Sequence, residues 1–152
     1  MKSRILVIGI GSDFRCDDRA GLAVARLLKE KNIPGVEIIE ETGEGAVLME
    51  RWKDAEYVFL IDAVSSDSPP GTIHRIDVQR QTIPKTFFHS STHQFSIAAA
   101  IELSRTLNWL PQHLIIYGIE GKNFSMGVEV TPKVNDTGLR VVELINDEIH
   151  DS

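Results

Sequence analysis

Continuous apolar runs and helically spaced apolar residues take turns along this 152-residue chain. Behind Arg4, the run Ile5–Ile10 is aliphatic at almost every position, as in a strand buried on both faces of a parallel sheet, and Gly9-Ile10-Gly11 closes it. Within Arg19–Lys31, Ala20, Val24, Leu27 and Leu28 recur at helical spacing until Ile33-Pro34-Gly35 stops the helix. Val36–Glu40 reads as the next strand, Gly43 and Gly45 as a turn, and Ala46–Trp52 as a short helix. Tyr57–Ala63 is a second buried run with an acid, Asp62, near its end. After the loop at Pro69-Pro70-Gly71, Thr72–Val78 mixes Ile73, Ile76 and Val78 with polar residues, as a sheet-edge strand would. Ser91-Thr92-His93-Gln94 has the form of a capping box ahead of the helical segment Ile97–Leu107, which puts His93 in a first helical turn. His113–Gly118 is another buried strand and Gly127–Thr131 a weak one, and Leu139, Val142, Ile145 and Ile149 form a closing amphipathic helix.

Strands that alternate with helices predict a three-layer α/β/α sandwich with a mainly parallel, twisted sheet, one domain over residues 1–152. Such folds gather ligands at the carboxyl ends of their strands. Charge narrows the partners: 16 Lys and Arg against 22 Asp and Glu give a net of −6, with no basic block, which argues against nucleic acid. The run Ile5–Ile10 is too short to cross a bilayer and lacks a signal-peptide cleavage site, so a cytoplasmic protein without a membrane partner is expected. The lone Cys16 fits a reducing compartment.

Candidate chemistry lies in the string GIGSDFRCDDRAG after the first strand. A dinucleotide fingerprint needs glycine at position 14, where Phe14 stands, and Asp17 and Asp18 would repel a pyrophosphate. No Gly-Lys-Ser/Thr follows either, so no cofactor-binding residues are expected there. Asp17 is expected to cap the first helix, leaving Asp18 without a structural task. Asp62 should emerge where its strand leaves the core, at the same edge as that loop. His93, at a helix start, should be a neutral imidazole. Brought together, Asp18, Asp62 and His93 would offer two carboxylates and an imidazole, a set suited to nickel or zinc. His89 and Cys16 read as a loop histidine and a semi-buried thiol, and the absence of a G-x-S-x-G elbow weakens a serine hydrolase.

In order along the chain, these segments resemble the hydrogenase maturation endopeptidases, which trim the C-terminus of the large subunit of nickel-iron hydrogenases. That family opens with a strand and G-x-G-N-x-L-x-x-D-[D/E]-G-x-G, matched here by Gly9, Gly11, Asp17, Asp18 and Gly21. Its acid closing a central strand is matched by Asp62, its Thr/Ser-His pair by Thr92-His93, and its later segments by Gly118-Ile119-Glu120 and Thr131-Pro132-Lys133-Val134. Ser12 replaces the usual Asn, Arg19 a glycine and Gly121 a frequent Pro; Arg19 would put a cation beside the site, paired with Asp17 or with substrate.

The resemblance implies an endopeptidase whose Asp18, Asp62 and His93 are both catalytic and metal-contacting. The nickel would be carried by the substrate, with another divalent ion as its stand-in in the isolated protein. The implied partner is the nickel-iron hydrogenase large-subunit precursor, and the oligomeric state is left open, a monomer being one option. A non-catalytic nickel-reading chaperone of the same precursor is the alternative, and a nucleotide-binding module a third. An extended peptide would find an edge for strand addition near Ile73–Val78.

Overall fold

The computed structural model describes residues 4–84, 87–88 and 94–151. Its strands are β1 (Ile5–Ile10), β2 (Val36–Glu41), β3 (Tyr57–Val64), β4 (Ile73–Asp77) and β5 (His113–Glu120). They form one sheet in the order β2-β1-β3-β5-β4. The first four of these pair in parallel, and β4 adds antiparallel to β5 at the edge, as its mixed polarity predicted.

Side-chain alternation along the strands divides the core into two layers. Leu6, Ile8 and Ile10 of β1, with Val58, Leu60 and Val64 of β3, face α2 (Gly45–Trp52) and α3 (Ile97–Leu107). Val7, Phe59 and Ile61 face α1 (Ala20–Glu30) and α4 (Pro132–Asp151). The expected three layers are therefore present. Trp52 and Ser104 tie α2 to α3 through a buried bond from the indole Nε1 to the Ser Oγ, 3.0 Å long.

Two expected elements differ. Gly127–Thr131 is not a strand: Gly127 makes a single bridge with Arg15, and the Thr131 N–H bonds to a side chain, so no ladder forms. The capping box at Ser91–Gln94 does not cap α3, because Ser96 does so by accepting from Ala99 N at 3.1 Å. Ser91, Thr92 and His93 lie outside the described residues.

Strand order sets the functional end of the molecule. The chain moves from β1 outward to β2 and then returns to β3 on the other side of β1, so that α1, leaving β1, and α2, leading into β3, lie on opposite faces of the sheet. A crevice opens at such a switch point, beyond the carboxyl ends of the two strands.

Candidate functional site

Three close approaches bring the segment after β1 onto that crevice. A Cβ on Gly21 would lie 2.3 Å from the Ile10 carbonyl oxygen and 2.4 Å from that of Ile61. A Cβ on Gly9 would lie 2.5 Å from the Gly21 oxygen, and one on Gly11 1.9 Å from the Asp18 oxygen. Each glycine is thus required by backbone packed against backbone. Between Gly11 and Gly21 the chain makes a 3-10 turn, Cys16–Arg19, which lies against β3. Its first residue, Cys16, is buried and sits in the left-handed region at φ 45°, a conformation rare for a side chain with a Cβ.

Asp18 lies in this turn, 7% exposed, its N–H donating to the Arg15 carbonyl at 3.0 Å. Asp62 lies inside β3 opposite Gly118 of β5, and it is fully buried rather than emerging from the core, because β3 continues two residues past it. Strand alternation directs its side chain to the α2 and α3 face, and its Oδ1 accepts from Ala63 N at 2.8 Å. The structure therefore brings the turn carrying Asp18 against the strand carrying Asp62. His93 is outside the described residues; Phe88, before it, pairs with Val64, and Phe95, after it, accepts from Gly45 N at 2.8 Å. Among the described residues no group of three or more His, Cys, Asp or Glu assembles as a metal cluster.

Asp17 does not cap the first helix. Its fully buried carboxylate accepts instead from Thr131 N at 2.6 Å, Lys122 N at 2.8 Å, Asn123 N at 2.9 Å and Thr131 Oγ1 at 2.8 Å. The reason is position: Asp17 falls inside the 3-10 turn, and α1 begins only after Arg19, which caps it without a side-chain bond. Burial pushes the Asp17 pKa up, but the bonds from Thr131, Asn123 and Lys122 outweigh it and hold the carboxyl below its ordinary value. Arg19 does not pair with Asp17. It lies 3.5 Å from Asp13 and donates to the Val128 carbonyl.

A further buried acid, Glu120, belongs to the Gly118-Ile119-Glu120 segment of the resemblance but is not among the candidate site residues that the sequence offers. It closes β5 at 2% exposed and accepts from Ser66 N at 2.8 Å, from the Ser66 hydroxyl, and from His74 Nε2 at 3.0 Å. The signal was available, since an acid ends the buried run HLIIYGIE just as Asp62 follows YVFLI.

The fold and this end of the sheet define a doubly wound α/β domain with buried carboxylates at its switch point. The hydrogenase maturation protease family model matches residues 22–148, and the chain belongs to that family, making it a hydrolase of the endopeptidase class. A Methanocaldococcus jannaschii protein, provisionally named a hydrogenase maturation protease, is 27% identical over 93% of this chain and 91% of its own length. The hydrogenase expression/formation protein HupD of Thiocapsa roseopersicina is 25% identical over 92% of this chain, which spans 65% of that protein. In fold, the Escherichia coli hydrogenase maturating endopeptidase HybD superposes with a TM-score of 0.80 at 19% identity, covering 97% of this chain and 93% of that one. Among the described residues no helix is long and apolar enough to cross a membrane.

Proposed function

We propose that the chain is a cytoplasmic aspartyl endopeptidase that removes the C-terminal extension of a nickel-loaded nickel-iron hydrogenase large-subunit precursor. In this reading Asp18, Asp62 and His93 contact the nickel that the precursor carries. The observation that supports it is the burial of Asp18, in the turn that follows β1, and of Asp62, near the carboxyl end of the neighbouring parallel strand β3, on backbone that glycine packing fixes. Two carboxylates there are chemically apt: hard oxygen donors and one imidazole suit a borderline divalent ion. Peptide hydrolysis also needs a base for the attacking water and an acid for the leaving amine, and the same groups can hold and return that proton. Because the nickel arrives with the substrate, cleavage becomes conditional on its insertion.

A protein substrate suits the surroundings as well. Phe14, Met126 and Val128, at 67%, 76% and 57% exposed, are the most exposed large apolar side chains among the described residues. All three stand on loops bonded to each other beside Asp18, through Cys16 N to the Gly127 carbonyl at 3.0 Å.

The test is intact-mass analysis of nickel-loaded and nickel-free precursor incubated with the wild type and with Asp18→Ala, Asp62→Ala and His93→Ala. The expected outcome is loss of a C-terminal peptide from the nickel-loaded precursor by the wild type alone. Tight nickel-dependent binding without a mass change would replace the protease by a chaperone.

A further inference from the structure

Two adjacent acids, Asp17 and Asp18, share one turn, and the donors around them divide their work. A carboxylate has about four lone-pair sites. Asp17 meets four donors, one on Oδ1 and three on Oδ2, all of them from residues 122–131. Three of the four are main-chain N–H groups, which cannot turn round to accept. Asp17 N also donates to the Asn123 carbonyl at 2.9 Å, and Cys16 N to that of Gly127 at 3.0 Å. On the far side of Asp18, the Arg19 guanidinium holds the Val128 carbonyl of the same segment. Both residues flanking Asp18 are therefore fastened to chain more than 100 positions away, while Gly11 packs on the Asp18 carbonyl from below.

We infer that Asp17 is a positioning residue for the hydrolysis: its carboxylate, through Thr131 and the 122–123 amides, fixes the turn that aims Asp18 at the scissile bond. The inference rests on the hydrolase reading above. It assigns Asp17 no contact with metal or substrate, since its oxygens are occupied by donors, and it makes the Thr131 hydroxyl a part of the active-site scaffold. Asparagine at position 17 would turn an NH2 toward fixed N–H donors, so the clamp needs a carboxylate rather than a residue of similar shape.

The experiment compares Asp17→Asn, Thr131→Val and Thr131→Ser with the wild type on nickel-loaded hydrogenase large-subunit precursor. It reads the single-turnover cleavage rate together with the affinity and stoichiometry of precursor binding. Misplacing a catalytic group by about an ångström lowers a rate on the order of a hundredfold, the fall expected for Asp17→Asn. Thr131→Val, which removes one bond of four, should fall by about tenfold. Thr131→Ser keeps the hydroxyl and should stay within about twofold of the wild type. Binding stoichiometry should be unchanged throughout, which a loss of folded protein would not allow. Wild-type rates in Asp17→Asn and Thr131→Val would overturn the inference. So would rates that fall only in step with stoichiometry; if Asp17→Asn does not fold, the two Thr131 variants decide. A wild type that leaves a competent precursor uncut overturns the hydrolase reading itself, and the positioning role with it.

Discussion

Asp17 and Glu120 are both buried carboxylates at the carboxyl end of the sheet, yet the donors that hold them differ in kind. Asp17 is gripped mainly by peptide N–H groups of the 122–131 segment. Glu120 is held by one such group, Ser66 N, and otherwise by the Ser66 hydroxyl and the His74 imidazole. A peptide N–H keeps its proton and its direction, whereas a hydroxyl rotates and an imidazole changes tautomer or charge. Acids of similar burial thus become a fixture in one place and an adjustable joint in the other. Backbone donors mark where the molecule must not move.

The sharpest way to break the fixture is from below. Gly21→Ala would place a methyl carbon 2.3 and 2.4 Å from two strand carbonyl oxygens, and main chain cannot swing aside as a side chain can. Separation of α1 from β1 and β3 should destabilise the protein by about 3 kcal/mol, measured by urea unfolding. A loss under about 1 kcal/mol would mean that this contact is not what seats the turn.

Asp17→Asn comes next, at about 2 kcal/mol near neutral pH, because a buried donor set is left facing an amide. The pH dependence has a definite sign. The folded pKa of Asp17 lies below its ordinary value, so its contribution is fully present above the unfolded carboxyl pKa of about 4 and is lost as pH falls through the folded pKa. The gap between wild type and variant should accordingly be widest near neutrality and close as acid protonates the wild-type carboxyl. Unfolding curves at a series of pH values check this, and a constant gap would count against a carboxylate clamp.

Glu120→Gln tests the adjustable joint and should cost only about 1 kcal/mol. The amide oxygen still accepts from Ser66, and the His74 ring can present an acceptor nitrogen to the new NH2 group. Thermal unfolding of the two amide variants side by side is the comparison that matters. Equal losses would show that donor type does not separate the two sites.

Much of the fold was legible because it depends on local pattern. Ile5–Ile10, Tyr57–Val64 and His113–Glu120 are apolar because both faces of the sheet are covered, and each reads as a buried run. The rule that strand ends carry function singles out Asp18 and Asp62 as candidates, although the burial of Asp62 is not visible, since sequence shows where a run ends and not how far pairing continues. The role of Asp17 was hidden for a different reason. Its partners lie 105 to 114 residues away, and most are main-chain N–H groups that every sequence possesses. Local context therefore suggested a helix cap, the nearest set of free amides. Gly127–Thr131 misled in the same way: its residues suit a strand, but Thr131 donates to Asp17 instead of to a neighbouring strand.

The smallest effect expected has the opposite sign, and it comes from a glycine whose surroundings leave room for a methyl group. Gly138 lies in the interior of α4 with a helical backbone, and a Cβ there would meet Val24 Cγ2 at 3.6 Å, an ordinary van der Waals contact. Alanine loses less backbone freedom than glycine on entering a helix and would add a methyl contact between α4 and α1. Gly138→Ala should therefore stabilise the protein by about 0.5–1 kcal/mol, a rise of a few degrees in Tm, with cleavage unchanged. The same substitution at Gly21 meets two carbonyl oxygens rather than one flexible methyl group. If Gly138→Ala were instead destabilising, the α1–α4 layer would be packed as tightly as the turn beneath Asp18, and the contrast between a rigid functional edge and a more forgiving helical layer would have to be given up.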